Sequence, residues 1–261
     1  MRFGRRLPTT VLTVLLTVSS AIPVMAQEPA RASSSTVDPA TRPKIGLALA
    51  GGVARGGAHI GVLEVLEELR IPVDYIAGTS IGAIVGGLYA SGMRVPELKA
   101  LMESLDWQEM LSDQVPLRYK PVRLKNLNGH VLSRLEIGFN HGALRFPTAL
   151  VTGQNVDRTL RTATFSVRHV EDFRDLPVPF VAVATDLVTG ELVTLAGGHL
   201  ASAIRASMSI PGAFSPVQID GRILVDGGLV RNLPVDVVRE MGADVVIAVD
   251  LTPPRFMRRR N

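Results

Sequence analysis

Residues 45–90 read IGLALAGGVARGGAHIGVLEVLEELRIPVDYIAGTSIGAIVGGLYA, and the order of patterns inside this stretch decides the fold. Ile45 to Ala50 is a short unbroken apolar run, as expected of a strand buried on both faces, and a glycine-rich turn ends it. From Gly57 to Arg70 the apolar positions Ile60, Val62, Leu63, Val65, Leu66 and Leu69 are interleaved with Glu64, Glu67 and Glu68, which predicts an amphipathic helix. Val73 to Ala77 is a second strand, and Ile81 to Ala90 a second, nearly all-apolar helix. Strand, helix, strand, helix in one short stretch means right-handed βαβ units and a parallel sheet covered on both faces.

Outward from this unit the patterns are less even. Roughly Pro96 to Arg168 is irregular, with an amphipathic stretch at 96–105, a Pro- and Arg-containing segment at 115–125, and strand or loop material around Leu132 to Phe146. Regularity returns with a strand at Pro179 to Thr185, a turn at Val188–Gly190 and a strand at 191–195, followed by a helix at 199–207. Val217 to Val225 reads as a β-hairpin turning at Asp220-Gly221. Leu233 to Met241 is a helix with Pro234 in its first turn and Gly242 as its stop, and Asp244 to Val249 is a final buried strand.

The ends have a different character. Arg2, Arg5 and Arg6 precede an apolar stretch from about Val11 to Val24, and Val24-Met25-Ala26 places small residues where a signal peptidase cuts, before Gln27. Residues 1–26 are therefore expected to be an export signal, 27–43 a flexible Ser/Pro/Ala-rich lead-in, 44–252 the folded domain, and 253–261 an Arg-rich tail at a truncation point. An exported protein acts in the periplasm, at the outer membrane or outside the cell. With no cysteine in the chain, neither a lipid anchor on cysteine nor a disulfide is available, so stability has to come from the core. The formal charge of +4 falls to +1 without the three signal-segment arginines, and to −3 without Arg255, Arg258, Arg259 and Arg260. No basic stripe is left to track phosphates, which argues against a nucleic-acid partner.

Three short blocks carry chemistry. Gly78-Thr79-Ser80-Ile81-Gly82 matches G-x-S-x-G at a strand-to-helix junction, the setting of a nucleophile elbow; taken alone it fits a helix cap as well. Gly51-Gly52-Val53-Ala54-Arg55-Gly56 joins the first strand to the first helix, where backbone N–H groups could hold a phosphate or an oxyanion. A dinucleotide site expects a carboxylate ending the second strand, and that strand runs into Ser80 instead. Asp226-Gly227-Gly228 sets a carboxylate at the end of a strand in tight turn geometry, which would also suit plain turn stabilisation. No histidine follows Asp226, so the order of an ordinary hydrolase triad is missing, and a carboxylate bonded directly to Ser80 is the economical base. His59 is expected to pack in or cap the first helix, and the remaining histidines to be surface or structural. No side-chain cluster has metal-ligand spacing.

In this order the blocks resemble the patatin-like phospholipase family, its bacterial members in particular. Ala58 to Leu63 and Ala203 to Phe214 extend the likeness, which covers about residues 44–252. The resemblance implies a three-layer α/β/α sandwich with a mainly parallel central sheet, and a Ser80–Asp226 dyad that cleaves acyl esters of phospholipids or lysophospholipids. It implies backbone donors of Gly51, Gly52, Val53 and Gly56 for the oxyanion, with Arg55 holding the loop. It implies further that Gly78, Gly82, Gly227 and Gly228 shape the turns around the dyad, that no cofactor or metal is needed, and that contact with membranes is transient. Val53 departs from the family's third glycine, and a β-branched residue does not readily take positive φ. Two other classes share parts of this pattern: an esterase or thioesterase on soluble acyl substrates, and a non-catalytic lipid- or nucleotide-binding module.

Overall fold

In the computed structural model, which describes residues 42–52, 55–105, 138–140, 143–145 and 149–252, strand β1 (Ile45–Leu49) sends Leu47 and Leu49 into one hydrophobic cluster and Ala48 into another. Successive side chains of a strand point to opposite faces, so this split means both faces are covered. Strands β2 (Tyr75–Thr79) and β6 (Phe180–Asp186) divide in the same way, with Ile76 and Phe180 on the first face and Ala77, Val181 and Val183 on the second. On the first face lie α1 (Gly57–Glu68), α2 (Ile81–Ala90), α3 (Val95–Ser104), α4 (Gln154–Ala163) and α5 (Leu200–Ser207), each contributing buried apolar residues to that cluster. The second face is covered by α6 (Val235–Glu240) through Val237 and Val238.

The central sheet has the order β11–β1–β2–β6–β10–β9, with β11 at Val245–Val249, β10 at Arg222–Asp226 and β9 at Val217–Ile219; β7 (Leu192–Leu195) also pairs with β6. β11, β1, β2 and β6 run parallel, while β7, β10 and β9 are antiparallel to their neighbours. The chain moves from β1 to β2 on one side and returns to β11 on the other. Such a reversal opens a crevice at the carboxyl ends of the strands, where loops can converge. Short pairs flank this sheet: β3 (Gly138–Asn140) with β4 (Ala143–Arg145), and β5 (Ala149–Val151) with β8 (Gly212–Phe214). This is a three-layer α/β/α arrangement around a mainly parallel sheet.

The local expectations hold for β1, α2, and the β9–β10 hairpin, where Asp220 and Gly221 take φ 49° and 77° as a tight two-residue turn of primed type requires. Four differ. The second strand lies two residues later than its apolar run suggests, because ladder pairing of Gly78 with Leu49 and of Thr79 with Val183 carries it up to Ser80. Residues 154–163, within the stretch read as irregular, form α4, which buries Val156 and Leu160. Pro234 caps α6 from outside its first turn. The last strand is not buried: β11 is an edge strand with exposed and half-buried residues. The expected signal segment, the segment at 115–125, the tail from 253, and nearly all of the lead-in lie outside the described residues.

Candidate active site

Ser80 is the single residue between β2 and α2, and its backbone has φ 56° and ψ −120°. Positive φ is costly for a residue with a Cβ and persists where the surroundings enforce it. Gly78 and Gly82 make the room for it here. A Cβ on Gly78 would run into the Gly82 carbonyl, and one on Gly82 into the Leu49 carbonyl, so α2 starts in direct contact with the ends of β1 and β2. The Ser80 side chain makes no capping hydrogen bond to α2. Helix capping is therefore not its role, although residue and position suit a cap. Its neighbour Thr79 is held separately, donating its hydroxyl to the Arg231 carbonyl at 2.9 Å.

Asp226 ends β10, opposite Ala184 of β6, while Thr79 pairs with Val183 on the other side of the same strand. Ser80 and Asp226 thus converge across one position of β6, and both are buried. The Asp226 Oδ1 accepts the Gly228 N–H at 2.7 Å. Burial pushes its carboxyl above the ordinary aspartate range, and hydrogen bonds from the Ser80 side chain and the Gly228 N–H pull it part of the way back. The carboxylate therefore stabilises its own turn and also faces the Ser80 hydroxyl. A hydroxyl against a carboxylate of raised pKa is the pairing that general-base activation of a nucleophile uses.

The glycine loop closes the third side. A Cβ on Gly51 would stand 3.2 Å from the Ser80 Cβ and 2.7 Å from the Asn232 Oδ1, so only glycine lets β1 end this close to the elbow. The Gly51 N–H is donated to the Asn232 carbonyl at 3.1 Å, and the Asn232 Nδ2 returns a bond to the Gly51 carbonyl at 3.3 Å. Gly51 is thereby a packing residue, its N–H committed and withdrawn from the oxyanion donors expected of it. Gly56 lies against the Ile81 side chain and Gly52 against Leu251. Arg55 donates from its backbone to the Gly52 carbonyl at 3.1 Å and from its guanidinium to the Leu251 carbonyl at 2.9 Å, tying the loop to the exit of β11. Val53, the departure in the loop, lies outside the described residues, as does Ala54.

Among the described residues no imidazole is hydrogen-bonded to Ser80 or Asp226. His59 is fully buried in α1 with Nε2 at 2.8 Å from the Ala50 carbonyl, and its Nδ1 meets no hydrogen-bond partner among the described residues. Burial lowers its pKa more than the Ala50 bond raises it, so it is a neutral strut beneath the loop. His169 and His199 are exposed, and His130 and His141 lie outside the described residues. Among the described residues no group of three or more histidine and acidic side chains could hold a metal ion. No helix among them is long and apolar enough to cross a membrane. A cavity of about 1310 Å³ opens between α4 and β9, lined by Arg158, Arg161, His199 and Gln218 among others, but neither Ser80 nor Asp226 reaches it.

Two residues that sequence reasoning passed over stand at the centre of these contacts. Asn232 bridges the glycine loop to the turn after Asp226, and the Ser207 hydroxyl accepts the Ser80 N–H at 2.9 Å. Ser207 falls in the block from Ala203 to Phe214, and no local pattern announces a bond across 127 residues.

A family model described as patatin-like phospholipase matches residues 47–239. An uncharacterised NTE family protein of Mycobacterium bovis is 35% identical over 209 residues, which is 80% of this chain and 49% of that protein. Patatin-like phospholipase domain-containing protein 6 of Mus musculus is 34% identical over 210 residues, 79% of this chain and 13% of the mouse protein. The chain thus spans about half the length, or less, of these relatives. Among solved structures, VipD from Legionella pneumophila overlaps 74% of this chain and 47% of its own, at 17% identity and a TM-score of 0.46.

Proposed function

The chain belongs to the patatin-like phospholipase family, and from that premise we propose that it is a serine acyl hydrolase acting on acyl esters of phospholipids or lysophospholipids, with Ser80 as nucleophile and Asp226 as its base. The observation that carries this reading is the Ser80 elbow: a strained residue whose hydroxyl caps nothing and is turned to a buried carboxylate. The Ser80 Oγ attacks the acyl carbonyl carbon as its proton passes to Asp226. The tetrahedral intermediate carries its negative charge on the former carbonyl oxygen, where the N–H groups of Gly52 and Gly56 and the N-terminus of α2 supply positive potential. Collapse expels the alcohol, which takes the proton from Asp226 and leaves an acyl-serine. Water then attacks, passes a proton to Asp226, and Ser80 recovers it as the fatty acid departs.

The test is direct. Wild-type protein is expected to react with a fluorophosphonate probe and to release fatty acid from defined phospholipids or lysophospholipids. Ser80→Ala should do neither, and Asp226→Asn should lose roughly 10²- to 10⁴-fold in turnover, the usual range for a general base. A well-folded wild type that ignores the probe would sink the proposal in favour of a binding module. Hydrolysis confined to soluble esters or thioesters would move the substrate class. We also propose export, from the N-terminal pattern; N-terminal sequencing of protein from the exported fraction should begin at Gln27, and an intact Met1 there would refute it.

A further inference from the structure

We propose that Ser207 is a positioning residue for the nucleophile: its hydroxyl holds the Ser80 backbone in the strained elbow, from the same three-residue segment that anchors the backbone of Asp226. This rests on the reading of Ser80 and Asp226 as the reacting pair.

Ser207 is the last residue of α5 and is completely buried. Its hydroxyl donates to the Val183 carbonyl of β6 at 2.6 Å and accepts the Ser80 N–H at 2.9 Å. A hydroxyl has one proton to give and lone pairs to receive, so the donation fixes its orientation and leaves an acceptor facing Ser80. Two residues on, the Ser209 carbonyl accepts the Asp226 N–H at 2.9 Å. The Ser209 hydroxyl is braced in turn, at 2.6 Å from the Arg205 guanidinium and 2.8 Å from the Arg205 carbonyl. Ser207 to Ser209 therefore grips the main chain of both reacting residues, one at each end, and β6 runs between them.

The consequence concerns distance. Ser80 sits where backbone geometry costs energy, so it will relax unless something opposes the relaxation. Gly78 and Gly82 make room for the elbow but supply no force that keeps it. The Ser207 bond is directional, buried and attached to the residue itself. Without it the Ser80 N–H is buried with its partner gone, and the Ser80 peptide can rotate toward ordinary φ, carrying Oγ away from Asp226. A displacement of about 1 Å in a reacting pair can lower turnover by roughly 100-fold.

Ser207→Ala tests this, with Ser207→Thr as the variant that keeps the hydroxyl and Ser91→Ala as the control. Ser91 lies at the far end of α2, is buried, and donates to the Leu88 carbonyl at 2.7 Å, so its loss is an equal truncation away from the site. Turnover is measured per competent site, counted by fluorophosphonate labelling, with kcat and KM separated. The expected result is a fall in kcat of roughly 10- to 100-fold for Ser207→Ala, KM held within about twofold, recovery of most of kcat in Ser207→Thr, and wild-type kcat in Ser91→Ala. A purely structural role would lower the melting temperature of both alanine variants and leave kcat per site alone. A folded Ser207→Ala with unchanged kcat, or a folded Ser207→Thr no better than alanine, overturns the inference. Should Ser207→Ala not fold, Ser207→Thr decides: near wild-type kcat supports the inference and a large loss refutes it. If wild-type protein is inactive, or Ser80→Ala is active, the reading of the site itself has failed. If Ser80→Ala is dead and Ser207→Ala is indifferent, only the positioning role has.

Discussion

The backbone of Ser80, at φ 56° and ψ −120°, is a conformation that a serine holds at a cost and a glycine holds easily. A nucleophile elbow bears that cost because it thrusts the hydroxyl clear of β2 and α2 toward the carboxyl edge of the sheet. The cost is measurable. Ser80→Ala and Ser80→Gly both remove the hydroxyl, so both should be inactive, yet only glycine releases the strain. Chemical denaturation is expected to place Ser80→Gly above Ser80→Ala by about 1 kcal/mol, the low end of what such conformations store. The ordinary preference at an unstrained site runs the other way, since glycine has more entropy to lose on folding. Equal stabilities, or alanine ahead, would mean that the elbow is relaxed and that the tether proposed for Ser207 has nothing to oppose.

Elements were legible in the sequence to the extent that their signals were local. The apolar run of β1, the all-apolar α2 and the Asp220-Gly221 hairpin could each be read within ten residues or so, and Ser80, Asp226 and the glycine loop came with them. Ser207 and Asn232 could not, because their partners Ser80 and Gly51 are brought to them only by the finished sheet. α4 was missed since its two buried residues, Val156 and Leu160, are spaced within a mostly polar segment where no run of apolar residues forms. β11 read as buried from its five apolar residues, but an edge position leaves Val245 and Ala248 exposed. Glycines separate by the same criterion. In α2, Gly82 meets the Leu49 carbonyl, and Gly82→Ala should destabilise by about 1–3 kcal/mol, as overpacking does, and reduce turnover by shifting the start of the helix. In α1, nothing among the described residues lies within 4 Å of a Cβ on Gly61, and Gly61→Ala should stabilise by about 0.5–1 kcal/mol with activity unchanged. Urea titrations of the two variants that moved in the same direction would refute this division.

Across the whole molecule, the sheet with its two covered faces has to bury the catalytic carboxylate that the proposed chemistry needs, and this links stability to pH. The folded pKa of Asp226 is raised by burial. A raised carboxyl favours its neutral form in the native state. Below the ordinary aspartate range the group is protonated whether the chain is folded or not, and it has no effect on stability. As pH rises, the unfolded chain ionises first, which draws the equilibrium toward unfolding until pH passes the raised folded value; above that the loss is constant. His59 works in the opposite direction: its depressed pKa means that stability is complete above its ordinary value of 6.5 and is lost as pH falls below it. A wild-type profile mixes the two, whereas the difference between Asp226→Asn and wild type isolates the carboxylate, since His59 and every other group are common to both. The amide that Asp226→Asn introduces cannot ionise. The stability gap in favour of Asp226→Asn is therefore expected to be smallest below the ordinary aspartate range, to widen as pH rises through that range, and to level off once pH passes the raised folded value, where the variant is inactive and more stable than the wild type. Urea denaturation of the two proteins at matched pH values measures it. A gap that stays flat, or closes as pH rises, would show that Asp226 is no more costly to ionise in the folded protein than in the unfolded chain, and would remove the physical ground for treating it as a base tuned by burial.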